Sequence, residues 1–217
     1  GAHQKNTIAA SVHSQVFLSQ HIGDLENETS FEAFRSVIGA FETLYELKPE
    51  AIACDLHPGY LSTQHARASA LPQIAVQHHY AHIAALMVEH NVGDIVGVCC
   101  DGYGYGLDGE AWGGEILLCN KEDRGFKRLS HLEEQPLVGG DLATRYPLRM
   151  TAGILDGKID IEQWLMNHKQ HFPHGMQEIQ LILEQLRGKS NITRTTSCGR
   201  VLDAASAILD ICYERTY

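Results

Sequence analysis

The chain has 217 residues and a mass of 24.0 kDa, and 17 Lys and Arg against 27 Asp and Glu give 17 − 27 = −10 with His neutral. Hydrophobic residues at 44% and charged ones at 20% exclude a generally disordered chain. No apolar run approaches the roughly 18 residues of a membrane helix, and the acidic balance without Lys/Arg clusters argues against nucleic acid as a partner. At about 150 residues per domain, the length suits one large domain or two small ones packed together.

The opening Gly1-Ala2-His3-Gln4-Lys5-Asn6-Thr7 reads as a polar loop. Thr7–Val12 and Gln15–Ser19 then form a hairpin. Thr29-Ser30-Phe31-Glu32 is a capping box with Thr29 as the cap, followed by Phe31, Phe34, Val37, Ile38, Phe41, Leu44 and Tyr45 at helical spacing. Ala51–Leu56 is a strand, His57-Pro58-Gly59 a turn, Tyr60–Ala70 a helix, Gln73–Gln77 a strand and His78–Asn91 a helix. A second series begins with a strand at Ile95–Cys100, a glycine-rich turn at Asp101–Gly114, and strands at Glu115–Asn120 and Phe126–Leu132. A Gly139-Gly140-Asp141 turn follows, and residues 142–217 read as mainly helical, broken near Phe172-Pro173 and at Gly188–Thr196, with a last helix over Val201–Tyr217.

An α/β order that starts twice suggests two lobes with mixed sheets and flanking helices, facing each other across a cleft, with a boundary near 92–94. On that reading residues 1–217 are incomplete at both ends. The first lobe lacks a strand before Gly1, and the second stops at a helix without closing strands. Cysteines at 54, 99, 100, 119, 198 and 212 include no C-x-x-C pair. They read as free thiols of a reducing, cytoplasmic compartment rather than a disulfide framework or zinc cluster.

Three clusters could carry chemistry. His78 and His82 lie four apart in Gln77-His78-His79-Tyr80-Ala81-His82, on one helical face, where they fit either a cation or a solvated or packed pair. His79 stands where a zinc protease would carry its glutamate. Asp101 ends an apolar strand, where α/β proteins place ligands, and would complete a His/His/Asp set for zinc or iron. Its other reading is an Asp accepting backbone N–H bonds in its own turn. Gly102, Gly104, Gly106 and Gly109 form a turn able to bring backbone N–H groups to a phosphate. A ligand-free flexible hairpin is the alternative. Lys5 and Gly139-Gly140-Asp141 are further nucleotide contacts on the same logic.

In order along the whole chain, Lys5-Asn6-Thr7, Ser19-Gln20-His21-Ile22-Gly23-Asp24, Asp55-Leu56-His57-Pro58 with Tyr60, and Val76-Gln77-His78-His79 with Ala81-His82 are followed by further motifs. These are Asp101-Gly102, Gly104-Tyr105-Gly106, Asp108-Gly109, Trp112-Gly113-Gly114-Glu115, Gly139-Gly140-Asp141 with Pro147 and Arg149, and Ser197 with Gly199-Arg200 and Asp203-Ala204. The set resembles the carbamoyl-transferring domain of the HypF family of hydrogenase-maturation proteins. His3 and Gln4 stand where that family has Glu-Leu before Lys-Asn-Thr.

The resemblance implies an actin-like (ASKHA, RNase H-like) fold related to the tRNA threonylcarbamoyl transferases. It implies a metal-dependent, ATP-linked carbamoyltransferase that moves the carbamoyl group of carbamoyl-adenylate to the C-terminal cysteine thiol of HypE, toward the cyanide ligands of [NiFe] hydrogenase. Carbamoyl phosphate and ATP would enter through zinc-finger, acylphosphatase-like and adenylate-forming domains expected upstream. Carried over by position, His78, His82 and Asp101 would bind zinc or iron. Lys5, Asn6, Gly102, Gly104, Gly106, Gly139, Gly140 and Asp141 would surround ATP or carbamoyl-AMP. None of the six cysteines needs to be catalytic, because the partner supplies the thiol. Two other readings keep the fold: O-carbamoyl or tRNA threonylcarbamoyl transfer, and a non-catalytic nucleotide-binding or docking domain. The acidic charge counts against tRNA.

Overall fold

The computed structural model describes residues 3–122 and 125–215. The expected opening loop includes Gly1 and Ala2 and the expected final helix runs to Tyr217; positions 1, 2, 216 and 217 lie outside the described residues. The chain divides into two compact units, one running to His78 and one from His79.

In the first unit, β1 (Ala9–Val12) and β2 (Gln15–Leu18) form the expected antiparallel hairpin, turned through His13 at φ 54°. Helix α1 (Glu28–Leu44) starts two residues ahead of the position the expected cap implies. Asn27, not Thr29, is the N-cap, its side-chain oxygen accepting from the N–H groups of Thr29 and Ser30 at 3.0 and 3.4 Å. Phe34 turns inward and meets the His65 ring edge-on at 5.3 Å between centroids, tying α1 to α2 (Leu61–Ala68). Strands β3 (Ile52–Asp55) and β4 (Gln73–Val76) pair in parallel, Asp55 opposite Val76. A parallel pair needs a crossover, which α2 supplies.

The second unit contains most of α3 (His78–Glu89) and a five-stranded sheet. Its strands are β5 (Asp94–Tyr105), β6 (Ala111–Asn120), β7 (Gly125–His131), β8 (Gln135–Val138) and β9 (Ile192–Thr195). Strand order is β5-β6-β9-β8, with β7 also on β6. Ile83 and Met87 of α3 pack on Cys99, Leu117 and Cys119 of the sheet. A second core lies among β8, α5 (Pro147–Leu155), α6 (Ile161–Asn167), α7 (Gly175–Gly188) and α8 (Cys198–Ile208), built on Leu148, Leu165, Ile179 and Ile182. The four-residue helix α4 (Leu142–Arg145) links β8 to α5.

Three expectations change here. The strand expected to stop at Cys100 continues to Tyr105, because Gly104 and Tyr105 pair with Trp112 and Ala111 beyond a bulge after Cys100. The glycine-rich turn therefore shrinks to residues 106–110, and Asp101 sits inside a strand rather than at its end. The region after 142 holds β9 as well as helices, and α8 ends at Ile208. Among the described residues, no helix is long and apolar enough to cross a membrane.

Candidate metal centre

Helix α3 is continuous, so His78 and His82 stand one turn apart on one face. Apolar packing of Ile83 and Met87 fixes the helix on the sheet, and β5 carries Asp101 beside it. One ligand atom each from His78, His82 and Asp101 lies within 4.8 Å of the others. The His82 Nε2 is 3.6 Å from Asp101 Oδ2, while Asp101 Oδ1 accepts from the Gly102 N–H at 2.6 Å. One carboxylate oxygen of Asp101 is thus taken by the neighbouring backbone N–H, and the other faces the imidazoles. Two imidazoles and a carboxylate in this arrangement fit a zinc or iron ion with positions left open. The His82 side chain is 61% exposed, so the open side faces solvent.

His79, fully buried, has its Nε2 3.9 Å from Asp101 Oδ2, and its carbonyl accepts from the Cys99 thiol at 3.8 Å. It is a packed histidine behind the carboxylate. Sequence reasoning gave Asp55 no role, although its motif was visible. Its carboxylate is 5% exposed, with Oδ2 2.9 Å from His78 Nδ1 and Oδ1 accepting from the His57 N–H at 2.8 Å.

The start of α8 seats directly on β5 and β6. The Ser197 hydroxyl donates to the Gly102 carbonyl at 2.6 Å and accepts from the Arg200 N–H at 3.0 Å, capping the helix. Gly113 permits this approach: a Cβ there would lie 2.6 Å from the Asp101 carbonyl oxygen and 2.7 Å from Ser197 Cα. Fully buried Glu115 accepts from the Gly113 N–H, from Thr196 Oγ1 and from Arg128 Nε, the last at 2.7 Å. The Arg128 guanidinium covers the Trp112 ring at 3.8 Å. The Trp-Gly-Gly-Glu run thus braces the strand that carries Asp101.

The glycines expected to hold nucleotide occupy separate places. Gly102 and Gly104 lie within β5, and Gly106 opens the hairpin turn, its N–H donating to the Glu110 carbonyl at 2.9 Å. Gly139 and Gly140, both at positive φ, form the β8–α4 turn with exposed Asp141. That turn rests on Arg149, whose Nη1 would be 2.3 Å from a Cβ at Gly139. In the first unit, Lys5 is exposed and Asn6 is buried, its N–H donating to the Gly23 carbonyl at 3.1 Å.

Burial pushes the Cys99 thiol up to about 11, with the nearby Asp101 charge adding to it, and raises Cys119 as well. Such thiols are protonated and inert at neutral pH.

Comparison with known proteins completes the picture. Residues 97–217 match the family model described as the second subdomain of the carbamoyltransferase Kae1-like domain, and residues 1–89 match the HypF Kae1-like domain. The probable carbamoyltransferase HypF of Methanocaldococcus jannaschii is 41% identical over all of this chain and 29% of its own length. The HypF of Synechocystis sp. is 36% identical over all of this chain and 30% of its own. This chain therefore spans less than a third of these two relatives. A crystal structure of full-length HypF in its phosphate- and nucleotide-bound form superposes with a TM-score of 0.91 at 38% identity, covering the whole chain and 34% of that protein. HypF of T. kodakarensis gives 0.88 at 36% identity, covering the whole chain and 30% of that protein. The expected mixed α/β, actin-like architecture is thereby shown, and the chain belongs to the HypF Kae1-like domain family.

Proposed function

We propose that this chain transfers a carbamoyl group from carbamoyl-adenylate to a cysteine thiol at the C-terminus of HypE, in the cytoplasm. The observation that carries the reading is the convergence of His78, His82 and Asp101 within 4.8 Å. His78, His82 and Asp101 would hold a zinc or iron ion, which would supply Lewis-acid polarisation of the carbamoyl or phosphoryl oxygen. Every other task falls to the protein. The thiol arrives as thiolate, its sulfur bonds to the carbamoyl carbon, and the carbon–oxygen bond to the phosphate breaks with its electron pair leaving on AMP. AMP is a good leaving group, so orientation and charge stabilisation suffice. The exposed side of His82 admits the acceptor. The Gly139-Gly140-Asp141 turn is the nucleotide contact this reading keeps, since the N–H groups of Gly102 and Gly106 are already donated to Asp101 Oδ1 and to the Glu110 carbonyl. Support for a nucleotide comes from the phosphate- and nucleotide-bound relative.

The test joins this chain to the adenylate-forming part of a HypF and supplies carbamoyl phosphate, ATP and HypE. Mass spectrometry reads a thiocarboxamide on the HypE terminus. His78→Ala and His82→Ala are expected to abolish that product while ATP-dependent adenylate formation continues. Transfer that survives both changes refutes the reading, and a modified alcohol or tRNA in place of the thiol reassigns the acceptor.

A further inference from the structure

Asp55 reaches His78 by strand pairing rather than by sequence neighbourhood. Strands β3 and β4 run in parallel with Asp55 opposite Val76, and the Leu56 N–H donates to the Val76 carbonyl at 3.0 Å. The chain leaving β4 therefore begins α3 beside the end of β3, which brings residue 78 to residue 55. The Asp55 carboxylate is almost wholly buried and both oxygens are engaged: Oδ1 by the His57 N–H at 2.8 Å, Oδ2 at 2.9 Å from His78 Nδ1. Its own carbonyl accepts from Thr63 Oγ1 at 3.1 Å, which anchors the residue to α2.

An ionised carboxylate can only accept, so the short contact requires the proton of neutral His78 to sit on Nδ1. The lone pair then resides on Nε2. We propose that Asp55 is the positioning residue of the metal centre, holding His78 in the Nδ1–H tautomer so that Nε2 is the nitrogen offered to the cation. This inference rests on the metal reading above and names the group that makes His78 competent for it.

The geometry singles out an informative substitution. In Asp55→Asn the side-chain carbonyl is held at the His57 N–H, so the NH2 group turns toward His78 Nδ1. An NH2 donor there forces Nδ1 to accept, moves the ring proton to Nε2 and removes the ligand lone pair. Shape and volume are nearly unchanged, and only the direction of one hydrogen bond inverts.

The experiment uses the 217-residue chain, metal-free and then titrated with Zn²⁺ against a competing chromogenic chelator. Ring ¹⁵N–¹H correlation spectra, with His78 assigned by its absence in His78→Gln, read the tautomer before any metal is added. Wild type is expected to show Nδ1–H, D55N to show Nε2–H, and D55N to bind Zn²⁺ roughly 10- to 100-fold more weakly. A D55N tautomer that does not move, or one that moves with unchanged Zn²⁺ affinity, overturns the role of Asp55 while leaving the metal reading intact. A wild-type chain with the expected tautomer that takes up no Zn²⁺ overturns the metal reading, and Asp55 then positions no ligand. Should D55N fail to fold, the wild-type spectrum decides, and Nε2–H in the metal-free chain overturns the proposal.

Discussion

The pair Arg149–Glu178 offers the sharpest test of how the second unit is held. Glu178 lies in the first turn of α7, and its Oε1 accepts a hydrogen bond from Arg149 Nε at 3.0 Å and forms an ion pair with Nη2 at 2.8 Å. Its Oε2 accepts from the His174 N–H at 3.2 Å. Both side chains are at most 4% exposed, and the guanidinium underlies the Gly139 turn. Glu178→Ala therefore leaves a buried cation without its counter-charge, at a cost of about 3–5 kcal/mol. The orphaned His174 N–H adds about 1 kcal/mol. Against a whole-domain stability of about 5–15 kcal/mol, this single change brings the unit near unfolding at room temperature. Replacing both partners, R149M with E178L, removes the stranded charge and should recover most of the loss, since apolar substitution of a complete buried pair is often close to neutral. Urea unfolding followed by circular dichroism gives both values, at low and high salt, and burial should leave them nearly salt-independent. A Glu178→Ala cost below about 1 kcal/mol, or a double variant as unstable as the single one, would refute the assignment of the energy to an unpaired charge.

Three further outcomes follow from the same geometry. Gly113→Ala places a methyl against backbone on two sides and should cost about 1–3 kcal/mol and weaken Zn²⁺ binding, because the strand carrying Asp101 must shift; an unaltered thermal midpoint counts against that contact. Ser197→Ala deletes the cap of α8 and the hydroxyl contact to Gly102, and should cost about 1–2 kcal/mol by the same melt; a stabilised variant would contradict it. Burial raises the Cys119 thiol above its usual value of 9.0, so its contribution to stability is complete below pH 9.0 and is lost as pH climbs through the raised folded value. Denaturant midpoints from pH 8 upward should fall more steeply in wild type than in Cys119→Ala, and parallel curves would exclude the effect.

Much of the architecture could be read from periodicity, because the hairpin, α1 and α3 each carry a pattern that only one local structure satisfies. The capping-box pattern at Thr29 mimics the cap that Asn27 forms two residues earlier with the same kind of side-chain-to-backbone bond. Strand β5 extends through glycines that look like a turn, since its pairing is decided by β6 and not by its own residues. Strands β8 and β9, Gln-Pro-Leu-Val and Ile-Thr-Arg-Thr, have no strong strand pattern and owe their form to pairing with each other. At the site, His78 and His82 were legible through helical spacing and Asp101 through its place after an apolar run. Asp55 was not, because its nearness to His78 is created by parallel pairing across more than twenty residues of chain.

The crossover between β3 and β4 also constrains the order in which the chain acquires its chemistry. The two strands cannot zip from a tight hairpin; α2 must form and fold back before Asp55 and Val76 lie side by side. Contacts that depend on such loop closure form late relative to local helix and hairpin contacts. Mild denaturation should therefore release the His78 ring while α1 and α3 still give full helical signal, and cation capture should fail before the first unit visibly unravels.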